Sequence, residues 1–166
     1  MNVTAIVIEA VIFAAFFTVM VFWMTKNKHT SAGIHNYPED IQEEYFKTHP
    51  RVDVSYRSRN VVLTKSLGLI LFAGIFVLCA HFAGARTFAQ GFWVGLGLMV
   101  FIGCYDTFFL DWVLFANLKI FRLEGTEHMD EAYHQKWFHL KGILFPGSLF
   151  GLIVGVVTGL ITMWIH

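Results

Sequence analysis

The 166-residue chain balances 12 basic against 12 acidic residues for a formal net charge of zero, and 56% of it is hydrophobic while only 14% is charged. Such a composition excludes an ordinary soluble domain and points to the membrane. The charge balance also excludes an electrostatic nucleic-acid partner, because the Lys and Arg residues are interleaved with acids such as Glu39, Asp40, Glu43 and Glu44.

Four apolar runs are long enough for the roughly 20 residues that cross a bilayer core. They occupy about 3–24, 61–83, 92–118 and 143–165, and leave connectors at 25–60 and 119–142. The fold expected is an all-α polytopic membrane protein, a four-transmembrane-helix bundle forming one domain over 1–166, with amphipathic connectors. The first run lacks a basic leader and is followed by Thr25-Lys26-Asn27-Lys28 rather than a small-residue cleavage site, so it reads as a retained helix. Lys and Arg set the orientation. Eleven of the twelve lie in or beside the two long connectors, and only Arg86 lies between the second and third runs. Both connectors are therefore expected in the cytoplasm and both termini outside.

In the first connector, Pro38 at the first position of a helix, Glu39 and Asp40 in its first turn and a stop at His49-Pro50 predict a short amphipathic helix. Ile41, Tyr45 and Tyr37 share its apolar face. Val52, Val54 and Tyr56 then alternate with polar residues, which reads as an extended lead into the second span. Cys79 and Cys104 fall at heights that differ by roughly 10 Å or more, beyond disulfide reach, and are read as small buried apolar residues.

The third run contains Asp106 and Asp111, and a charge near the bilayer centre costs at least about 2.5 kcal/mol. On an α-helix five residues turn through roughly 500°, which leaves the two carboxylates about 140° apart and unable to share a proton without distortion. Asp111, beside Trp112, is expected at the interface and facing another way. Asp106 is expected to be the deeper of the two, either paired with a base such as Lys65 or Arg59 or serving as a site. Glu9 and His81 fall near the outer surface close to Arg86 and His166, where a polar cluster or simple snorkelling accounts for them.

The second connector is expected to continue the third helix amphipathically from Leu118 to Leu123 and to break at Gly125. Thr126 then caps a helix with Glu127, Asp130 and Glu131 early and Lys136 and Lys141 late. Asp130 and His134 form an i,i+4 pair on its solvated face. Trp137, Phe138 and Lys141 look like interface anchors. The last run spaces Gly147, Gly151, Gly155 and Gly159 four apart, a smooth face that admits another backbone. It is open to the third span around Gly91, Gly95 and Gly97, or to a homo-oligomer or membrane-protein partner.

Glu131 and His134 have the Glu-x-x-His spacing of carboxylate metal bundles, but only one copy occurs and no second motif completes a ligand set. No cofactor is expected. Nucleotide-binding loops, nucleophile elbows and kinase motifs are absent from the sequence.

The stretches "YPEDIQEEYFKTH" and "DTFFLDWVLFANLKIFRLEGTEHMDEAYHQKWFHLKG" together resemble an uncharacterised group of small bacterial four-span membrane proteins. The resemblance runs from Tyr37 to Gly142, implies a bacterial inner membrane, and assigns no catalytic residue. Three functions follow as expectations. The first is a scaffold or partner-binding membrane component, in which the aspartates and connector charges fix geometry. The second is an enzyme acting on a lipid or isoprenoid head group at the cytoplasmic interface, with Asp106, Asp111, His134 and His139 as acid, base or ligand groups and Arg57, Arg59 or Lys119 holding phosphate. The third is a small proton-linked carrier that titrates Asp106.

Overall fold

Four helices long and apolar enough to cross a membrane set the architecture of the computed structural model, which describes residues 1–26, 31–34, 36–51 and 59–166. Among these residues there are helices and turns and no strand. The extended lead expected around Val52, Val54 and Tyr56, and the candidate Arg57, lie outside the described residues.

α1 (Val3–Lys26) and α4 (Arg59–Phe82) are continuous spans. A tight turn through Gly84, at φ +77°, leads to α5 (Phe88–Tyr105). Thr87 accepts a hydrogen bond from the backbone N–H of Gln90, and the Gln90 side chain reaches back to the Thr87 N–H. This capping box starts the third span at Phe88, four residues ahead of the boundary read from hydropathy. After Tyr105 the helix does not end but widens, and Asp106–Phe115 forms a π-helical segment. The backbone N–H of Ala116 donates to the carbonyl of Asp111, five residues back.

The fourth span is long and bent. α7 (Lys136–Gly142) runs into a second wide turn at Ile143–Gly147, where Phe145 takes extended dihedrals (φ −153°, ψ 125°) before Pro146, and α8 (Ser148–Trp164) continues to the end. Pro146 excludes helical dihedrals at the residue before it and removes one backbone donor, so the bend falls where the sequence places the proline.

α5 and α8 form the tightest seam. A Cβ on Gly95 would stand 3.2 Å from the Gly155 Cα, one on Gly91 would stand 3.0 Å from the Gly159 Cα, and one on Gly159 would stand 2.8 Å from the Phe88 carbonyl oxygen. Gly151 faces Leu96 and Met99. The α8 glycine face is thus filled by α5, whereas Gly97 has nothing within 4 Å and Gly147 lies against the Gly142 carbonyl at the bend. Small residues let two backbones approach where lipid supplies no hydrophobic drive. Around this seam Phe13, Phe76, Val94, Leu98, Ile102 and Val154 close an apolar core. Cys79 and Cys104 are unbridged and half-buried rather than fully buried, Cys79 at the margin of this core.

The connectors build a second core of their own. α3 (Glu39–Tyr45) starts one residue after Pro38 and buries Ile41 and Tyr45 completely or nearly so, the face expected of it. They pack with Ile34 of α2 (Ser31–Ile34) and with Phe115, Phe121, Leu123 and Tyr133, the last from α6 (Asp130–Tyr133). The amphipathic extension over Leu118 to Leu123 does not form. The chain leaves the helix at Leu118, makes a single 3₁₀ turn at Lys119–Phe121 and turns through Gly125 at φ +83°. Thr126 does not cap a helix; it is wholly buried, donating to the Leu123 carbonyl and hydrogen-bonding the Tyr133 hydroxyl at 2.6 Å. Helix α6 starts four residues later without a side-chain cap.

Candidate functional site

The π-helical segment changes the relation between the two intramembrane aspartates. At roughly 4.4 residues per turn five residues sweep about 410°, so Asp106 and Asp111 stand about 50° apart rather than 140°. They share a face, contrary to the α-helical expectation, and lie within electrostatic reach of each other. The widened turn is the distortion that an α-helical reading would have required.

Asp111 does not turn away from the bundle. It is half-buried and pairs with His139 on α7, its carboxylate oxygen 2.9 Å from Nδ1 of the imidazole. The His139 side chain is only 6% exposed. Its ring meets the edges of Phe115 and Phe138 at centroid distances of 5.1 and 5.2 Å, which fixes its plane. With Nδ1 engaged, Nε2 is the remaining nitrogen, and it is buried with no hydrogen-bond partner among the described residues. The indole nitrogen of Trp112, one residue after Asp111, is orphaned in the same way. Both residues line a small recess of about 10 Å3 together with Asp111, Ala116, Tyr133, His134 and Lys136. The Lys136 ammonium sits 5.2 Å from the Trp112 ring centre.

Asp106 has no ion pair within 4 Å among the described residues. Lys65 on α4 attracts it from a greater distance. Arg59, at the start of α4, is exposed and takes no part. Lys119 is exposed on the 3₁₀ turn, outside the residues that line the recess. Of the four acid–base candidates, the fold thus couples Asp111 to His139, puts Asp106 on the same helical face, and leaves His134 exposed at the rim. His134 Nδ1 hydrogen-bonds the Asp130 backbone carbonyl at 2.8 Å, not its carboxylate. Glu131 is exposed, and among the described residues no three His, Cys, Asp or Glu side chains are placed to hold a metal ion.

Arg122 was not a sequence candidate, yet it organises this end of the molecule. It is 9% exposed and donates from Nη2 to the Ala116 carbonyl at 2.9 Å and to the Asp130 carboxylate at 2.6 Å. Its guanidinium also lies 3.9 Å above the Tyr133 ring centre. It therefore satisfies a carbonyl at the open end of the third span and holds α6 to it. Tyr133 accepts from the Leu123 backbone N–H at 2.9 Å, and the Tyr37 hydroxyl donates to the Phe121 carbonyl at 3.0 Å. Burial and the neighbouring Tyr133 push the Tyr37 phenol well above its ordinary range.

At the opposite end, His81 and His166 stack with ring centres 5.2 Å apart, and Arg86 lies 3.3 Å from His166 Nδ1. Glu9 does not join them; it is half-buried within electrostatic reach of Cys79, and one of its oxygens has no hydrogen-bond partner among the described residues. Between that end and Asp106 lies the apolar core around Phe13, Phe76, Leu98 and Ile102.

No protein-family model, curated protein or solved structure matches this chain.

Proposed function

We propose that the chain is a multi-pass protein of a bacterial inner membrane, with its connector layer in the cytoplasm and both termini outside. In this reading it is a scaffold or partner-binding component whose working surface is the connector layer. The orientation rests on the Lys and Arg asymmetry. The role rests on one observation above all: apart from the orphan nitrogens of His139 and Trp112, the polar side chains that line and brace the layer bind one another and the third span. Arg122, Tyr133, Thr126, Tyr37, His139 and Asp111 tie loops, helices and span together around a recess with room for about one water rather than a substrate.

Two experiments test it. Single-cysteine labelling from each side of sealed inverted vesicles should modify Glu131→Cys from the cytoplasmic face and Ala89→Cys from the other, and the reverse pattern overturns the topology. For the role, His139→Asn should lower thermal stability. If it instead left stability intact while abolishing turnover of a polyprenyl phosphate or phospholipid by the purified protein, the scaffold reading would be abandoned.

That second outcome belongs to the reading favoured by the orphan nitrogen of His139. There Asp111 orients the imidazole, Nε2 serves as general base toward a water in the recess, and Lys136 attracts an anionic head group from the rim. The proton-linked carrier has the least support, because the apolar core interrupts any polar path from Asp106 to Glu9 or His81.

A further inference from the structure

Between α4 and α8 on the connector side opens a groove of about 340 Å3, lined by Val62, Lys65, Ser66, Leu69, Ile70 and Phe150. Five of the six fall at i, i+3, i+4, i+7 and i+8 of α4, so a single helical face forms one wall. The lining is ordered by depth. Lys65 lies three residues inside the apolar stretch Val62–Phe82, about 4.5 Å along the axis, within reach of the phosphate level for an ammonium on a four-carbon stem. Leu69 and Ile70 lie one to two turns deeper. The polar end thus faces the head groups and the apolar end faces the acyl region.

Lys65 is half-buried and has no acid within 4 Å among the described residues; Asp106 attracts it from farther away. An ammonium held beside hydrocarbon without a contact ion pair leaves part of its field for an anion from the bilayer. Ile70, at 66% exposure, forms the lipid-facing lip.

We infer that this groove is a binding site for one anionic phospholipid, its phosphate against Lys65 and Ser66 and an acyl chain laid along Leu69, Ile70 and Phe150. The site is separate from the Asp111–His139 recess and does not depend on either reading given to that recess.

The test uses the full chain in nanodiscs of three parts phosphatidylcholine to one part phosphatidylglycerol, released into detergent for native mass spectrometry of the retained lipid. The wild type should retain phosphatidylglycerol about fivefold over its share of the bilayer, and Lys65→Gln should bring the ratio to parity. Ile70→Trp keeps the charge and fills the lip, and it too should reach parity. Lys141→Gln, an exposed cation on α7, should leave the ratio at the wild-type value. Parity in the wild type overturns the site. So does retention by Lys65→Gln, or displacement of the lipid by millimolar glycerol phosphate, which would mean that the site reads phosphate alone. If Lys65→Gln does not fold, Ile70→Trp decides, since retention of phosphatidylglycerol by that variant rules out the groove.

Discussion

Gly159→Ala probes the α5–α8 seam more sharply than any other change. The new methyl would stand 2.8 Å from the Phe88 carbonyl oxygen and 2.9 Å from its ring carbons. The ring can rotate, but the carbonyl belongs to the first turn of α5 and moves only with the helix. Restoring an ordinary contact of about 3.4 Å requires a shift of about 0.6 Å, and a gap of that size forfeits a quarter or more of the dispersion energy of each contact along the seam. Overpacking of this kind costs about 1–3 kcal/mol. Gly97→Ala is the matched control: it lies on α5 itself but has nothing within 4 Å of the added methyl, and should be neutral or up to about 1 kcal/mol stabilising through helix propensity. Unfolding in mixed dodecylmaltoside–SDS micelles, followed by tryptophan fluorescence, measures both. The double variant Gly159→Ala/Gly91→Ala should be less damaging than the sum of its parts, because once the helices part both methyl groups fit. Equal midpoints for Gly159→Ala and Gly97→Ala would refute the seam as described.

Asp111→Ala removes the carboxylate that stands 2.9 Å from Nδ1 of the buried His139 and should cost about 1–3 kcal/mol, with a double-mutant cycle to His139→Ala recovering a coupling of similar size; simple additivity in the same titration would count against the pair. Arg122→Lys cannot reach the Ala116 carbonyl and Asp130 while covering the Tyr133 ring, so it should destabilise by about 1–3 kcal/mol, whereas Asp130→Asn at the exposed end of the pair should cost about 1 kcal/mol or less. Tyr37 binds its proton more tightly folded than unfolded, so its contribution to stability is complete below about pH 10 and is lost as pH rises above that ordinary phenol value. Tyr37→Phe should therefore flatten the alkaline fall in melting temperature, and an unchanged slope would place that fall elsewhere.

The four spans were legible because hydropathy is an average over many residues, which no single contact overrides. The buried face of α3 was legible for a related reason: Ile41 and Tyr45 are spaced for one side of a helix that Pro38 and two acids begin. Shorter signals depended on what they touched. Thr126 looks like a cap from its acidic followers, yet it is drawn into the core by the Tyr133 hydroxyl, seven residues on. Thr87 and Gln90 are the real cap and stand ahead of the apolar run that hydropathy follows. The Asp111–His139 contact spans 28 positions and two helices, so no local pattern announces it. Arg122 carries only a faint signal: a base between Phe121 and Leu123, just ahead of Gly125, in a stretch read as an amphipathic helix continuation.

The wide stretch from Asp106 to Phe115 acts on helical phase. Each residue there advances the chain by about 80° instead of 100°, so over ten residues the face of the third span lags an α-helix by roughly half a turn. Everything attached beyond it, from the Ala116 carbonyl that Arg122 grips to the loop that buries Leu123, is aimed by that accumulated lag. A chain that lost one residue from this stretch would keep its hydropathy, its length class and its charges. It would also point the connector layer the wrong way, which makes the spacing between Tyr105 and Ala116 as much a part of the design as the residues that fill it.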